Sequence, residues 1–510
     1  NEIGEFSYFV NVGANSQKNR YRITGNSGTQ LSIPGLYVIG KTLLNTPSIG
    51  VSEYDINSVF GAANFGYKNI YFIDVTARND WSSTLPVKNN SFFYPSVGGS
   101  MVVTDAFNVQ SDILSYAKLR ASWAQAGRSG DPYNTVGYFS LNPNTFQNQP
   151  LASYTDVVTD PNLKNELKTS YEIGAELRFL RNRLLIDFTY YHSVTSNQIL
   201  PITIAQSTGY STKLTNSGRI QNKGVELLIS GTPVETSGGF KWESTFNFAA
   251  NRNKVLELID GVSEYLVGSD RNVRITAVPG KPYGVVSAAD YAYERDEQGN
   301  RLIDDKGLPL VKSVLALELG NANPKWLGGF ANNFFYKGFA LNTLIDIRQG
   351  GIIFSQGRVQ EAAYGTSKRT LEGREGGLLV DGVKAVQQDG KWVSTGQKND
   401  VTTNAQAFWN RVASDKGFAV AEEFIYDASY VAIRELRLSY QVPSKWLGNQ
   451  KVVRGASLAI YGRNLGYLEK HTDGFSPENA SVNVNNGTLG MEGHSLPMMK
   501  TFGLDVSVRF

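Results

Sequence analysis

A chain of 510 residues with a formal charge of only +3 makes no broad electrostatic case for nucleic acid, and its lack of cysteine excludes a disulfide framework, a thiolate metal site and thiol catalysis. Aromatic residues supply 12% of the chain, charged residues 19%, and glycine 51 positions, a mixture that favours β-structure with glycine-marked turns. No stretch approaches the ~18 consecutive apolar residues of a transmembrane helix, which leaves a closed barrel as the remaining way for such a chain to span a membrane.

Length alone would suggest two to four soluble domains, a prior that large β-barrels escape. The opening residues Asn1-Glu2-Ile3-Gly4-Glu5-Phe6 carry no basic region, apolar core or small-residue cleavage site. No signal peptide is expected, and the sequence reads as a mature fragment or as one whose N-terminal part lies elsewhere. Alternation of apolar and polar residues predicts fourteen strands, near 4–15, 54–66, 69–79, 93–103, 114–126, 171–180, 184–195, 224–232, 239–251, 326–336, 339–349, 430–442, 455–464 and 501–510.

In chain order, Tyr171, Ile173, Ala175, Leu177 and Phe179 share one face, which resumes after Arg181-Asn182 as Leu184, Ile186, Phe188 and Tyr190. Two residues cannot hold a crossover, so this is a hairpin. Val225, Leu227 and Ile229 mark the next strand, followed by Trp242, Phe246 and Phe248. Leu341, Thr343, Ile345 and Ile347 alternate with polar neighbours, Leu344 being an imperfection of the kind a bulge produces. Leu436, Leu438, Tyr440 and Val442 alternate with Arg437, Ser439 and Gln441. The C-terminus is clearest: Phe502, Leu504, Val506, Val508 and Phe510 on one face, Asp505, Ser507 and Arg509 on the other. A terminal aromatic is typical of outer-membrane barrels.

Connections after even-numbered strands are short (67–68, 104–113, 181–183, 233–238, 337–338, 443–454), and those after odd-numbered strands are mostly long (16–53, 127–170, 196–223, 252–325, 350–429, 465–500). Short periplasmic turns and long extracellular loops are what a transmembrane barrel produces, whereas a soluble sandwich has no reason to place every long loop on one side. Counting back from a last strand that finishes in the periplasm, the first strand runs outward. The fold expected is all-β: a multi-pass transmembrane antiparallel β-barrel covering residues 1–510 as one domain.

Several segments resemble the signature of SusC/RagA-type TonB-dependent transporters. They are Arg78-Asn79-Asp80-Trp81-Ser82-Ser83-Thr84-Leu85-Pro86 with Tyr94-Pro95-Ser96-Val97, Thr169-Ser170-Tyr171-Glu172-Ile173-Gly174, and Asn216-Ser217-Gly218-Arg219-Ile220-Gln221-Asn222-Lys223-Gly224-Val225-Glu226. Pro324-Lys325-Trp326-Leu327-Gly328-Gly329-Phe330, Arg348-Gln349-Gly350-Gly351 and the terminal Phe510 follow in family order. The resemblance runs from about residue 70 to the end, and its specificity lies in the set rather than in any one motif. It implies the C-terminal ~14 strands of a 22-stranded barrel filled by an N-terminal plug. It further implies import of oligosaccharides or peptides across the outer membrane with energy delivered through TonB, and a SusD-like surface lipoprotein as lid. No plug, TonB-contacting segment or first eight or so strands are visible in the sequence, so energy coupling is implied by the resemblance alone.

Enzyme signatures are missing. The three histidines, His192, His471 and His494, have no ligand spacing, and there is no His-Glu-x-x-His, nucleophile elbow or phosphate loop. No catalytic residue, cofactor or metal is expected. Asp296-Glu297-Gln298-Gly299-Asn300 and Asp304-Asp305-Lys306-Gly307 superficially suggest calcium but lack the spacing and closing glutamate of an EF-hand, and two ordinary glycine-containing turns account for them.

Six charges on polar faces, Glu172, Glu176, Arg178, Asp187, Asp346 and Arg437, are expected to point into the lumen, since basic groups on the lipid face would cost about 2–4 kcal/mol near the midplane. The hairpin at Arg181-Asn182 sets Glu176 opposite Asp187 with Arg178 diagonal to it. Two carboxylates beside one arginine could contact a polar substrate or a plug, or form a salt-bridge lattice in the wall. Tyr71, Phe72, Trp81, Phe92, Phe93, Tyr94, Tyr190 and Tyr191 at strand ends suit interfacial girdles. Tyr291, Tyr293, Phe408 and Trp409 in loops suit sugar stacking or loop packing. Competing with an active importer are a passive porin-like channel and a secreted β-rich carbohydrate-binding or hydrolytic protein, for which no paired carboxylates in a groove stand out.

Overall fold

The computed structural model describes residues 2–147, 149–270, 272–414, 418–447, 452–479, 490–493, 496 and 498–510, with the side chains of 142–145 left out. His494 lies outside the described residues. One large antiparallel sheet runs the length of the chain. Its strands are β1 (Glu2–Ile3), β2 (Phe6–Leu31), β3 (Thr42–Tyr67), β4 (Tyr71–Ser82), β5 (Ser91–Val102), β6 (Leu114–Arg128), β7 (Glu166–Phe179), β8 (Leu184–Ser196), β9 (Arg219–Glu235), β10 (Phe240–Glu257), β11 (Trp326–Tyr336), β12 (Phe339–Gln349), β13 (Tyr430–Val442), β14 (Gly455–Lys470) and β15 (Thr501–Arg509). Each pairs with the next in chain order. Among the described residues β15 pairs on one side only, so the sheet has two free edges.

The sequence pattern predicts fourteen strands and the sheet has fifteen, the addition being the two-residue β1. The larger correction concerns 16–53, expected as a long loop. β2 and β3 pair almost without interruption from Phe6↔Tyr67 to Leu31↔Thr42, so most of that segment is hairpin. Residues such as Lys18, Arg20, Thr24 and Asn26 lie exposed on the strand. A strand solvated on both faces has no reason to alternate apolar with polar residues, which is why periodicity missed it.

Tight connections gather at one end of the sheet. Lys68 and Asn69 both take positive φ in the three-residue connection 68–70, as do Lys337 and Gly338 in a two-residue turn, left-handed pairs whose twist matches the strands. The 180–183 turn carries three left-handed residues, Leu180, Arg181 and Asn182, and closes through Arg183 N donating to Leu180 O at 3.3 Å. Its register puts Glu176 opposite Asp187, the pairing expected from the sequence.

The outward face is a belt of apolar rows. Leu341, Leu438, Ile460 and Leu504 stand side by side across four strands, and Phe339, Tyr440, Leu458 and Val506 form the adjacent row. All but Tyr440 are among the exposed large hydrophobic side chains, as are Ile173, Phe188 and Tyr190 further round. A patch this extensive is far beyond what a soluble protein shows to water and is what hydrocarbon requires of a barrel's outer surface.

The main buried core lies elsewhere, in the long connections. Val273, Ile275, Val286, Tyr293, Phe354, Val359, Phe408, Val412, Phe424 and Met491 pack together, so loops 252–325, 350–429 and 465–500 share one apolar interior. Two eight-residue helices, Gln356–Ala363 and Ala405–Val412, belong to it. A second cluster joins Leu85, Phe92, Leu163 and Leu214. These segments were legible only as loops, because their apolar residues are spread over short elements with no sustained period.

Candidate functional site in the barrel lumen

Strand alternation places the six predicted charges on the inward face, and the register sorts them into three separate clusters. In the first, the Glu176 and Asp187 carboxylates face each other but answer to different arginines. Arg178 Nε donates to Glu176 Oε1 at 2.8 Å, two positions along the same strand. Arg120 on β6 reaches over β7 and grips Asp187 with two nitrogens, at 2.5 and 3.1 Å, while also donating to Thr189 Oγ1 at 2.6 Å. The sequence set only Arg178 beside these two carboxylates, and the structure adds Arg120 as the partner of Asp187. A bidentate guanidinium reaching over from β6 is geometrically better than a diagonal Arg178, which is occupied by Glu176 and lies over the Tyr116 ring. Glu172 is exposed and has no ion-pair partner among the described residues.

The second cluster lies three intervening strands away, at Asp346 on β12. Arg434, the extra residue where β13 shifts register against β12, donates through Nε to Asp346 Oδ2 at 3.0 Å and through Nη1 to Glu478 Oε2 at 3.0 Å. Tyr430 OH lies 3.1 Å from Asp346 Oδ2 and 3.2 Å from Glu478 Oε1, with its one proton available to either, and Tyr467 OH donates to Glu478. The bulge is what turns Arg434 inward: an uninterrupted period of two could not put both Arg434 and Arg437 on the lumen face. It sits opposite Leu344 and Ile345, where the sequence showed its irregularity. Arg437, the sixth charge, crosses β14 to reach Asp505 Oδ2 at 2.9 Å on β15.

Between these clusters the wall is lined by amides. Tyr191 OH donates to Asn251 Oδ1 at 3.1 Å, Asn251 Nδ2 to Asn222 Oδ1 at 2.9 Å, and Asn342 Nδ2 to Asn333 Oδ1 at 2.7 Å. Above the point where β10 and β11 part, a cavity of about 780 Å³ is lined by Asn251, Asn323, Pro324, Trp326, Gly350 and Tyr426, among others. The Pro324-Lys325-Trp326 and Gly350-Gly351 motifs form part of its lining.

The aromatic expectations divide. Tyr71, Trp81, Phe93 and Tyr190 are exposed on the outward face. Phe72, Tyr94 and Tyr191 fall on the inward face and Phe92 is buried in a loop cluster, because adjacent residues on a strand point opposite ways. In the loops, Tyr293, Phe408 and Trp409 are buried and Tyr291 packs on Phe418 with ring centroids 5.1 Å apart, so these rings serve packing. Burial pushes the Tyr293 hydroxyl well above the usual range, and it donates to Glu423 Oε2 at 2.8 Å.

The calcium-like stretch consists of two turns that use their own carboxylates. Asp296 accepts from Asn300 Nδ2 at 3.0 Å and from the backbone N–H groups of Gln298 and Asn300. Asp304 accepts from the N–H groups of Lys306 and Leu308. The Asn300 amide is the first cause holding the Asp296 carboxyl below the usual range. His192 shares a 2.8 Å hydrogen bond with Gln221, and His471 lies 3.3 Å from Glu469.

Sequence reasoning missed Arg120, Arg434, Glu478, Tyr430 and Tyr467. Arg120 was findable: it lies on the polar face of a predicted strand. Glu478 comes from a loop and had no periodic signal.

A membrane-facing apolar exterior around a hydrogen-bonded polar interior defines an outer-membrane β-barrel. Residues 3–465 match the family described as TonB dependent receptor-like, beta-barrel, and the chain belongs to that family, whose SusC/RagA-type members are outer-membrane proteins. TonB-dependent receptor P3 of Formosa agariphila is 26% identical over 500 residues, taking in 92% of this chain and 47% of that protein. TonB-dependent receptor SusC of Bacteroides thetaiotaomicron is 23% identical over 474 residues, 89% of this chain and 43% of its own length. In structure, the RagAB peptide importer in its closed-closed state superposes with a TM-score of 0.75 at 20% identity, covering 99% of this chain and 54% of that one. The chain thus spans about half the length of these relatives.

Proposed function

We propose that this chain is the C-terminal barrel portion of an active importer of oligosaccharides or peptides, energised through TonB and working with a SusD-like surface lipoprotein. The observation that carries the reading is the two-sided sheet, apolar rows outside and a hydrogen-bonded polar wall inside, crowned at one end by folded loops. Its two free edges support further strands from the same protein closing the barrel, since an open edge in hydrocarbon leaves backbone groups unsatisfied. The membership in the TonB-dependent family supports energy coupling, and the likeness to SusC and to a peptide importer supports the substrate classes and the surface partner. The lumen charges, paired within the wall, serve mainly as a lattice; Glu172 and the amide rows are the groups left to meet a solute.

The test is uptake by cells carrying the full-length protein, supplied with mixed neutral oligosaccharides and mixed oligopeptides, with and without an uncoupler of the proton gradient. Accumulation of one class that collapses on uncoupling is the expected result. Accumulation indifferent to uncoupling would favour a passive channel.

A further inference from the structure

Resting on the orientation in that reading, with the long connections outside the cell, we propose that Lys223, Arg252 and Lys254 bind the phosphate of a phosphorylated lipid headgroup in the outer leaflet. Alternation along the strands assigns each residue its side of the sheet. Tyr190, Val225 and Ala250 stand in one outward row across β8, β9 and β10. The next row toward the long connections is His192, Lys223 and Arg252, and the one beyond it is Val194, Gln221 and Lys254, on the same outward face. Lys223, Arg252 and Lys254 are all exposed. They therefore border the apolar rows at the end where the long connections lie.

Outward arginine and lysine are confined to two places among the described strand residues: Lys18, Arg20 and Arg22 on β2, and Arg219, Lys223, Arg252 and Lys254 on β9 and β10. On β2 the charges are answered, since Asp55 stands opposite Lys18 and Glu53 pairs with Arg20 at 2.8 Å. Arg22 stands singly on a hairpin solvated on both faces. Arg219 pairs with Glu257 at 3.3 Å. Lys223, Arg252 and Lys254 have no carboxylate partner among the described residues. Nor do their outward neighbours offer one: His192 and Gln221 share a 2.8 Å hydrogen bond with each other, and Glu226 alternates to the inward face. Lys223 and Arg252 are directly opposite, an arrangement of like charges that costs a sheet stability and that an anion lying over both would offset. Arg252 is held in place for such an anion. Its Nη1 donates to the carbonyl oxygens of Asn251 at 3.2 Å and Lys325 at 2.6 Å, which fixes the guanidinium where β10 and β11 part. Its Nε and Nη2, unbonded among the described residues, remain for paired hydrogen bonds to one phosphate. Lys223 and Lys254 add flexible point charges beside it. An anionic headgroup is the partner that a basic cluster bordering a lipid-facing surface meets.

The experiment places the full-length protein in nanodiscs of a zwitterionic phospholipid doped with diphosphoryl lipid A or with the same lipid stripped of its phosphates, and counts retained lipid by native mass spectrometry after mild extraction. The parent is expected to keep the phosphorylated lipid and lose the dephosphorylated one. Lys223→Gln, Arg252→Gln and Lys254→Gln, singly and together, are expected to lower retention about five-fold for each charge removed. Lys223→Arg and Arg252→Lys keep the charge and are expected to keep most of the retention, which separates charge from folding. Lys18→Gln with Arg20→Gln is expected to change nothing. Full retention by the triple glutamine variant overturns the proposal, as does equal retention of the two lipids by the parent, since apolar contact alone would then hold them. Either result leaves the transport reading standing, because no step of uptake enters the measurement. Loss of retention in the glutamine variants of a protein whose loops 252–325 prove to lie inside the cell overturns the outer-leaflet assignment and the orientation with it.

Discussion

Glu176 and Asp187 stand directly opposite each other on adjacent strands, yet each is neutralised by a different arginine, Arg178 from within the strand and Arg120 from across it. Facing carboxylates repel, and the wall tolerates them because each has its own cation. Arg120 makes three hydrogen bonds to two residues, whereas Arg178 serves Glu176 alone. Arg120→Ala should therefore cost the folded barrel more than Arg178→Ala, by about 1 kcal/mol after discounting for solvent. Urea unfolding in detergent or vesicles checks this, and equal midpoints would contradict it.

The terminal strand offers a test of sidedness. Val506 stands in an outward row with Leu458, and Ser507 faces the lumen. Val506→Arg should lower the folded outer-membrane yield by an amount equivalent to about 2–4 kcal/mol if it sits near mid-bilayer. Ser507→Arg should cost far less. A worse yield for the serine variant would reverse the faces.

Orientation is tested on intact cells. Added protease or impermeant label should reach loops 252–325 and 350–429 while 233–238 stays protected. The opposite pattern would invert the topology.

Glu423 ties the loop cluster together: it accepts from Tyr293, pairs with Arg301 at 3.5 Å, and pairs with Arg369. Glu423→Gln leaves two arginines short of a counter-ion and should destabilise the loops by about 1–3 kcal/mol, less than a fully buried pair because the arginines are about one-third exposed. Hydrogen exchange should rise in 252–325 and 350–429 and stay unchanged in β7 and β8. A uniform rise would mean the loops and the sheet unfold together.

For the 296–300 turn the sign follows from Asp296. Its folded pKa lies below its ordinary value, chiefly through the Asn300 amide. Its stabilising contribution is thus present above the ordinary aspartate range and is lost as pH falls through the lowered value. Exchange of the Gln298 and Asn300 amides should stay slow at neutral and mildly acid pH and quicken only in stronger acid. Added calcium should leave those amides unmoved, because the carboxylate is already engaged by its own turn. A calcium-dependent slowing would restore the cation reading.

The sequence made the membrane part of this protein legible and the rest obscure, for one reason. Leu436, Leu438 and Tyr440 alternate with polar residues because lipid lies on one side and polar wall on the other. Beyond the bilayer that contrast disappears, and so did the strand identity of residues 16–31 and 42–53. The six candidate charges fall on the face opposite the apolar rows, but their partners were not legible, since Arg120 reaches across a strand and Arg434 owes its direction to a bulge. Glu478 reaches the wall from a loop, a contact no local pattern encodes.

The burial of Phe354, Phe424, Val412 and Met491 among the long connections means that this molecule is held together by two different solvents. The sheet owes its persistence to backbone hydrogen bonds that hydrocarbon will not let go, while the crown owes its own to water's exclusion of apolar groups, an effect that urea weakens. The crown is therefore expected to melt as a cooperative unit of its own. Moderate denaturant should dissolve the crown from a standing barrel, leaving the conduit open at its outer end before the wall yields.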